Sequence, residues 1–353
     1  MGIQQDDLVS WYLISKRELP WRDTKDPYSI WLSEVLLQQT RVQQGLPYYN
    51  RFLKAYPTVL SLSLACEDDV LNLWQGLGYY SRARNMLQTA KFIVDNLDGK
   101  FPKNYLSLLK LKGIGEYTAA AIASFSFDEP VAVVDGNVYR VLSRIFDINT
   151  PIDSAEGKNI FKVLANDFLD KLRPAIFNQA IMEFGALQCT PKKPNCFHCV
   201  FEKKCLSKVN NTVNERPVKL KKTKTRQRYF VFLVFCLNNE TYVQKRKAKD
   251  IWQGLYEFPL VEFETSEDQN AFLQQHRSNA IFQSPEITHI LSHQKITAFF
   301  ICFDSIIKLV VPKSNLIKIP INNLVDYPVS VLTENFLKKT NDLSFLSQAN
   351  NVN

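Results

Sequence analysis

No stretch of the 353 residues approaches the ~20 consecutive apolar side chains that a membrane helix needs. The longest apolar run, near Phe230–Leu237, is short enough to read as a buried strand. The start, Met1-Gly2-Ile3-Gln4-Gln5-Asp6-Asp7, is polar and acidic and lacks the pattern of a secretory signal. The chain is therefore read as cytoplasmic, with no membrane partner. No internal repeat is visible. Of the seven cysteines, four crowd between Cys189 and Cys205, while Cys66, Cys236 and Cys302 stand alone. Without a signal peptide a disulfide framework is not expected and a metal site is. The three lone cysteines are expected to be small core residues.

What is present is an ordinary globular balance, with 46% hydrophobic and 22% charged residues. At roughly 150 residues per domain the length suggests two or three domains. Aromatic side chains reach 12%, which suits base stacking but suits plain packing as well. The formal charge of +8 favours an anionic partner such as nucleic acid. Seven basic residues lie between Arg216 and Arg228 with no Asp or Glu among them, and taking those seven from the formal +8 leaves +1 for everything else. A charge run of this kind reads first as a solvated linker.

From Asp6 to about Leu206 apolar residues recur at three- and four-residue spacing, which predicts an all-helical region. Helical segments are expected at Ser29–Gln44, Ala83–Leu97, Tyr105–Leu111, Tyr117–Phe125 and Gly136–Phe146. Residues 208–227 are polar and basic and read as an exposed linker. After them strands are expected at Tyr229–Cys236 and Thr241–Gln244, around an Asn238-Asn239-Glu240 turn, and at Ala298–Asp304 and Ile306–Val311. Lys249–Gly254 and Ser266–Gln275 read as looser or helical. The expected division is a helical region 1–207, a linker 208–227, an α+β domain 228–340 and a polar tail 341–353.

Four local patterns carry chemistry. In Leu111-Lys112-Gly113-Ile114-Gly115-Glu116-Tyr117-Thr118-Ala119 a Gly-x-Gly turn separates two helical stretches. Glycine lets backbone approach another surface closely, and the free N–H groups opening the next helix can hold a phosphate. In Val131-Ala132-Val133-Val134-Asp135-Gly136-Asn137 an apolar run ends in a carboxylate at a helix start. Asp135 suits an N-cap, and an ionised group there can also stabilise a developing cation. Glu34 lies inside the apolar stretch Ile30-Trp31-Leu32-Ser33-Glu34-Val35-Leu36-Leu37. Lost hydration would raise its pKa and suit it to general acid work, although a glutamate on a solvent-facing helix surface gives the same spacing. One protonated and one charged carboxyl divide the work of breaking a glycosidic bond. The fourth pattern is Cys189-x6-Cys196-x2-Cys199-x5-Cys205. Four-cysteine zinc is the alternative on spacing, but zinc ribbons carry two Cys-x-x-Cys pairs and this loop has one, so an iron–sulfur cluster fits better. Lys192, Lys193, Lys203 and Lys204 lie in the same loop, where they could meet phosphates.

The Gly-x-Gly turn, the Val-Asp-Gly-Asn segment and the cysteine spacing, in this order, resemble the endonuclease III and MutY superfamily over roughly residues 5–206. Within it, Tyr117 stands where the bifunctional branch has a catalytic lysine, so the Schiff base of that branch is not expected. Leu19-Pro20-Trp21-Arg22, Trp31–Thr40 and Gln75-Gly76-Leu77-Gly78-Tyr79-Tyr80-Ser81-Arg82 are similar to segments of the MutY, or adenine DNA glycosylase, branch. Gln244–Lys247 with Ile251-Trp252-Gln253-Gly254-Leu255-Tyr256-Glu257-Phe258-Pro259 resembles a MutT-like (Nudix) domain without the acidic Nudix box.

The resemblance implies a fold and a set of roles. The fold is an all-α helix–hairpin–helix glycosylase region with an iron–sulfur loop, followed by a C-terminal α+β Nudix-like domain. The function is monofunctional removal of adenine opposite 8-oxoguanine, or guanine, in base excision repair. A bifunctional glycosylase/lyase and a non-catalytic lesion-binding protein are the alternatives. Glu34 would protonate adenine N7 and then assist water, and Asp135 would stabilise the sugar cation. Tyr117 and Asn137 would support these carboxylates. Trp21 and Arg22 would line the pocket for a flipped adenine. Gly113, Gly115, Gln39, Thr40 and Tyr79 would contact DNA, and Ser292 and His293 would meet 8-oxoguanine, with Leu291 where the family usually has phenylalanine. Cys189, Cys196, Cys199 and Cys205 would hold a [4Fe-4S] cluster. The implied partner is double-stranded DNA with an A:8-oxoguanine or A:G mispair, bound by a monomer at the bacterial nucleoid.

Overall fold

The computed structural model describes residues 5–220, 225–305 and 316–340. The expected strand at Ile306–Val311 and the tail 341–353 lie outside the described residues. In chain order the helices are α1 (Gln5–Ser15), α2 (Pro27–Leu37), α3 (Val42–Ala55), α4 (Val59–Ser63), α5 (Glu67–Trp74), α6 (Ser81–Asn96) and α7 (Tyr105–Leu108). They continue with α8 (Glu116–Phe127), α9 (Gly136–Ile145), α10 (Ala155–Phe168), α11 (Pro174–Leu187), α12 (Leu206–Val209), α13 (Ser266–His276) and α14 (Val331–Lys339). The strands are β1 (Arg226–Phe235), β2 (Glu240–Lys245), β3 (Tyr256–Glu257), β4 (Leu260–Phe263), β5 (Phe282–Gln283), β6 (Ile287–Ile290), β7 (Gln294–Phe303) and β8 (Ile317–Pro320). No helix among the described residues is long and apolar enough to cross a membrane.

The chain forms two compact units, residues 1–64 with 85–221 and residues 65–84 with 222–353. The first is helical. Some of its helix starts are written in capping residues: Asp26 accepts from the Tyr28 and Ser29 amides ahead of α2, and Ser154 accepts from the Gly157 amide ahead of α10. The single helix expected over Ser29–Gln44 is two. α2 ends at Leu37, Gln39 takes a positive φ of 56°, and α3 restarts at Val42. The core between α1, α9, α10 and α11 includes Leu8, Tyr12, Val138, Leu142, Phe161, Phe177 and Phe184.

Residues 208–220, expected as an exposed linker, are docked on this helical unit. Asp147, just beyond α9, accepts from Ser207, Asn210 and Thr212 and pairs with Arg216 at 3.0 Å. The Val218 carbonyl accepts from the Ile152 amide. Much of the segment is exposed, as composition suggested, and these polar contacts tie it to the helical unit. The last linker residues, Arg226 and Gln227, already belong to β1.

In the second unit β1 runs parallel to β7 from Arg226↔Gln294 to Phe235↔Phe303. β4 pairs antiparallel on the other side of β1, while β5 and β6 pair antiparallel with β7. β2 sits between β3 and β8 in a smaller sheet. Both faces of β1 are covered, which is why it reads as a continuous apolar run. Val231, Leu233 and Phe235 join a core with Leu273 of α13. On the opposite face Phe232 stacks on Phe300, which stacks on Phe336 of α14 at 4.0 Å. Residues 65–84, expected to go with the helical region, belong here because α5 is tied to the sheets. Asp68 accepts from Lys245 at 2.6 Å and from the Tyr256 hydroxyl at 2.9 Å. Cys66, expected in the core, is exposed and caps α5 through its sulfur, whereas Cys236 and Cys302 are buried.

Asn178 of α11 fixes the extended run that leads into α9. Fully buried, it donates to Ser124 Oγ and the Val131 carbonyl and accepts from the Val133 amide, at 2.8–3.1 Å. Asn178→Ala strands two backbone groups and is expected to lower stability by about 2–4 kcal/mol. Urea unfolding checks this, and an unchanged midpoint would refute the assignment.

Candidate active site

A cavity of about 610 Å³ opens in the helical unit, and Glu34, Tyr117, Asp135, Asn137, Trp21 and Arg22 all line it. Glu34 projects from the middle of α2 and is 5% exposed. The Tyr117 hydroxyl, from the first turn of α8, donates to Glu34 Oε2 at 2.5 Å. Burial pushes Glu34 up to about 7, with this hydrogen bond opposing it and the nearby Asp135 charge adding to it. Burial, with the charges of Glu34 and Asp135, also holds Tyr117 well above the ordinary tyrosine range, so it stays a donor.

Asp135 is the N-cap of α9. Its Oδ1 accepts from the amides of Asn137 and Val138 at 2.9 and 2.8 Å, and its Oδ2 accepts from Asn137 Nδ2 at 2.8 Å. Burial raises its pKa, against which three hydrogen bonds and the Arg140 guanidinium act. Asp135 keeps part of its surface open. With three donors against one for Glu34, it is the better-supported anion of the two. Asn137 is held in turn by Arg140, whose Nη2 donates to its Oδ1 at 2.8 Å. A Cβ at Gly185 would come within 2.6 Å of the Asn137 Cβ, so glycine is what lets α11 approach.

Trp21 and Arg22 lie on a 3₁₀ turn, Pro20–Arg22. Trp21 packs edge-on against Tyr49 at 5.0 Å. Arg22 and Arg17 both grip Glu183 of α11, at 2.7 and 2.5 Å. Burial alone would raise the Glu183 pKa, but hydrogen bonds from Arg17 and Arg22 bring it down to about 2. Arg17, Gln179 and Glu183 also line the cavity and were missed in the sequence. The signal for Glu183 was there, an acid inside the apolar run Ile181-Met182-Glu183-Phe184, the same signal that singles out Glu34. Thr40 lines the cavity too, while Gln39 sits in the break after α2.

The Gly-x-Gly turn precedes α8. Gly113 has φ +77°, and a Cβ there would meet Asn85 Cβ at 2.8 Å. Gly115 is the N-cap of α8 and places no side chain over the free amides of the helix.

Cys189, Cys196, Cys199 and Cys205 line one small cavity of about 20 Å³, with Arg144 and Lys208 beside them. Arg144 donates to Cys189 Sγ at 3.4 Å and to the Thr190 carbonyl at 2.7 Å. Among the described residues no three His, Cys, Asp or Glu converge as ligands of a single ion. The four cysteines line one space with cations beside it, and four thiol side chains with positive charge near them suit a thiolate-held centre.

In the second unit Ser292 and His293 form the turn between β6 and β7, closed by the Leu291 amide on the Gln294 carbonyl at 2.8 Å. The hydroxyls of Ser292 and Tyr79 are 2.7 Å apart, and Ser292 is 3.1 Å from His293 Nδ1. Tyr79, Ser292 and His293 line a cavity of about 560 Å³ with Trp252 and His289.

Residues 32–166 match the HhH-GPD superfamily base excision DNA repair protein family, and residues 230–339 match the NUDIX domain. An adenine DNA glycosylase of Buchnera aphidicola subsp. Baizongia pistaciae is 37% identical over 297 residues, covering 81% of this chain and 82% of that protein. The chain belongs to the adenine DNA glycosylase family. The Arabidopsis thaliana adenine DNA glycosylase is 39% identical over 295 residues; those cover 72% of this chain but 46% of the plant protein, so this chain spans about half its length. Among solved structures, a thermostable thymine-DNA glycosylase aligns with TM-score 0.55 and 26% identity over 58% of this chain and 95% of that one. An endonuclease III in non-covalent complex with DNA aligns with TM-score 0.51 and 20% identity, over 60% and 99%, and shares the fold. Membership in the adenine DNA glycosylase family makes this chain a DNA N-glycosylase with a helical helix–hairpin–helix region and a NUDIX-like α+β part.

A carboxyl whose folded pKa exceeds its unfolded value stabilises the fold below the unfolded pKa, and that contribution is lost as pH rises through the folded one. For Glu34 the window runs from the ordinary 4.5 to about 7. Glu34→Gln carries no such charge, so the variant is expected to gain stability relative to the parent between pH 4.5 and pH 8. Urea unfolding at the two pH values tests this, and an equal difference at both would contradict the raised pKa.

Proposed function

We propose that this chain removes adenine paired with 8-oxoguanine, or with guanine, by monofunctional hydrolysis of the C1′–N9 bond. The observation that carries the reading is a buried carboxyl held by Tyr117 and a second carboxylate held by three donors, both on one cavity of about 610 Å³. With its pKa near 7, Glu34 carries a proton that can pass to adenine N7 as the C1′–N9 bond breaks and its electron pair goes to the base. Asp135 stays charged and faces the oxocarbenium-like sugar. The Glu34 carboxylate then accepts a proton from the water that attacks C1′. Trp21 and Arg22 wall the space for an extruded base, and unstacking is expected to cost a few kcal/mol. At the position that follows the hairpin, Tyr117 offers a hydroxyl already given to Glu34, which supports a route without an amine adduct.

Gly113 and Gly115 would present the α8 amides to a phosphate, and Gln39 and Thr40 would probe the strand at the break between α2 and α3. Tyr79 and Ser292 would contact the base opposite adenine, with His293 beside them. Leu291 cannot stack as phenylalanine does, so this contact would rest on the hydroxyls.

The four cysteines would hold a [4Fe-4S] cluster, whose chemistry when bound is to fix their loop as a rigid thiolate-linked unit. Lys192, Lys193 and Lys203 are exposed on that loop, ready for phosphates. Cys199→Ser is expected to lower the iron bound per chain and the sulfur-to-iron absorption of the purified protein. Full iron content in this variant would remove Cys199 from the ligand set.

Single-turnover cleavage of a duplex with one adenine opposite 8-oxoguanine, with and without later alkali, tests the function. Strand breaks are expected only after alkali. Glu34→Gln is expected to keep duplex binding and lose base release, by about a hundredfold or more. Breaks without alkali would point to lyase chemistry, and tight binding with no abasic product would leave a lesion-binding protein.

A further inference from the structure

The loop from Gln75 to Tyr80 carries three left-handed residues, Gly76 at φ 96°, Gly78 at 71° and Tyr79 at 47°. Glycine adopts this region freely and a bulky tyrosine does not, so surrounding groups must hold Tyr79 there. Two side chains of the same unit do so. The Trp74 indole donates to the Gly78 carbonyl at 2.9 Å. The Arg82 guanidinium, from the first turn of α6, donates to the same carbonyl at 3.3 Å. Its carbon lies 5.0 Å from the Trp74 ring and 5.7 Å from the Tyr79 ring.

We propose that Arg82 is a positioning residue: it clamps the Gly78 peptide and the Tyr79 ring so that the Tyr79 hydroxyl meets Ser292, and thereby sets the preference for the base opposite adenine. This rests on the reading that Tyr79 and Ser292 contact that base. Tyr79 is 43% exposed and Arg82 is half-buried, so the tyrosine is the group presented outward and the arginine is its support. A planar guanidinium can lie against two rings and reach a carbonyl at once. A lysine ammonium cannot, so charge alone does not replace it. Burial lowers the Arg82 pKa to about 10, which still leaves it charged at neutral pH.

The experiment is single-turnover adenine release from A:8-oxoguanine and A:G duplexes by the full chain and its R82K, R82M, Y79A and R82K/Y79A variants. R82K keeps the charge and R82M the bulk, and the unfolding midpoint of each is measured alongside. The expected result is that R82K and R82M cut the rate ratio between the two duplexes about tenfold. The A:G rate should stay within about threefold, and the double variant should be no worse than Y79A. A parallel fall on both duplexes with the ratio intact would make Arg82 a general structural or DNA-charge residue and overturn the inference. Multiplying effects of R82K and Y79A would also overturn it. Wild-type protein acting equally on the two duplexes would sink both the opposite-base reading and this one. Preserved wild-type preference with an unaltered R82K ratio would sink this one alone.

Discussion

A carboxyl group withdrawn from water must either find donors or keep its proton, and the helical unit applies both answers within one cavity. Glu34 sits in the apolar middle of α2 with a single donor, the Tyr117 hydroxyl. Asp135 sits at a helix start where two amides and one side-chain amide converge. The chemistry proposed for the site follows from that asymmetry of donors, which is a property of backbone geometry more than of residue type. Much of the surrounding structure serves to maintain it. Asn178 fixes the extended run before Asp135, and Gly185 admits α11 to the Asn137 side chain. The Arg17–Glu183–Arg22 network pins the turn that carries Trp21.

Helix α9 links the two chemical centres of this unit by covalent economy. Its first residues hold Asp135 and Asn137. Arg140, one turn on, donates to the carbonyls of Gly185 and Cys189, and Arg144, a further turn on, meets the Cys189 sulfur and the Thr190 carbonyl. Asp147, just past its end, gathers Ser207, Thr212 and Arg216. The cysteine segment is thus bracketed at both ends by groups from one helix and its exit.

The parts of this architecture that were legible in the sequence are those set by local physics. Asp135 as a cap, the Gly113 turn, the cysteine spacing and the all-apolar β1 each depend on neighbours within a few residues. The break at Gln39 was not legible because Gln38-Gln39-Thr40-Arg41 holds no glycine or proline to mark it, and the left-handed turn falls on a glutamine. Glu183 carried the same local signal as Glu34, an acid in an apolar run; what the sequence did not show is its pairing with Arg17 and Arg22, more than 160 residues away. Cys66 was misplaced because an N-cap sulfur and a core sulfur look alike in composition. Residues 208–220 read as exposed, and much of the segment is; what composition did not show is that Asp147 ties it to the helical unit. The wider resemblance supplied roles that spacing alone left open, above all that of Glu34.

The discontinuity of the second unit has a consequence for how the protein comes into being. Asp68 leaves the ribosome 177 residues before Lys245, its partner. At ordinary elongation rates that interval is roughly ten to thirty seconds. For that time α5 and the loop that bears Tyr79 exist without the sheets that complete their unit, while much of the helical unit is being synthesised around their place in the chain. Long-range closure of this kind is slow to nucleate, so segment 65–84 depends on late synthesis for its native shape.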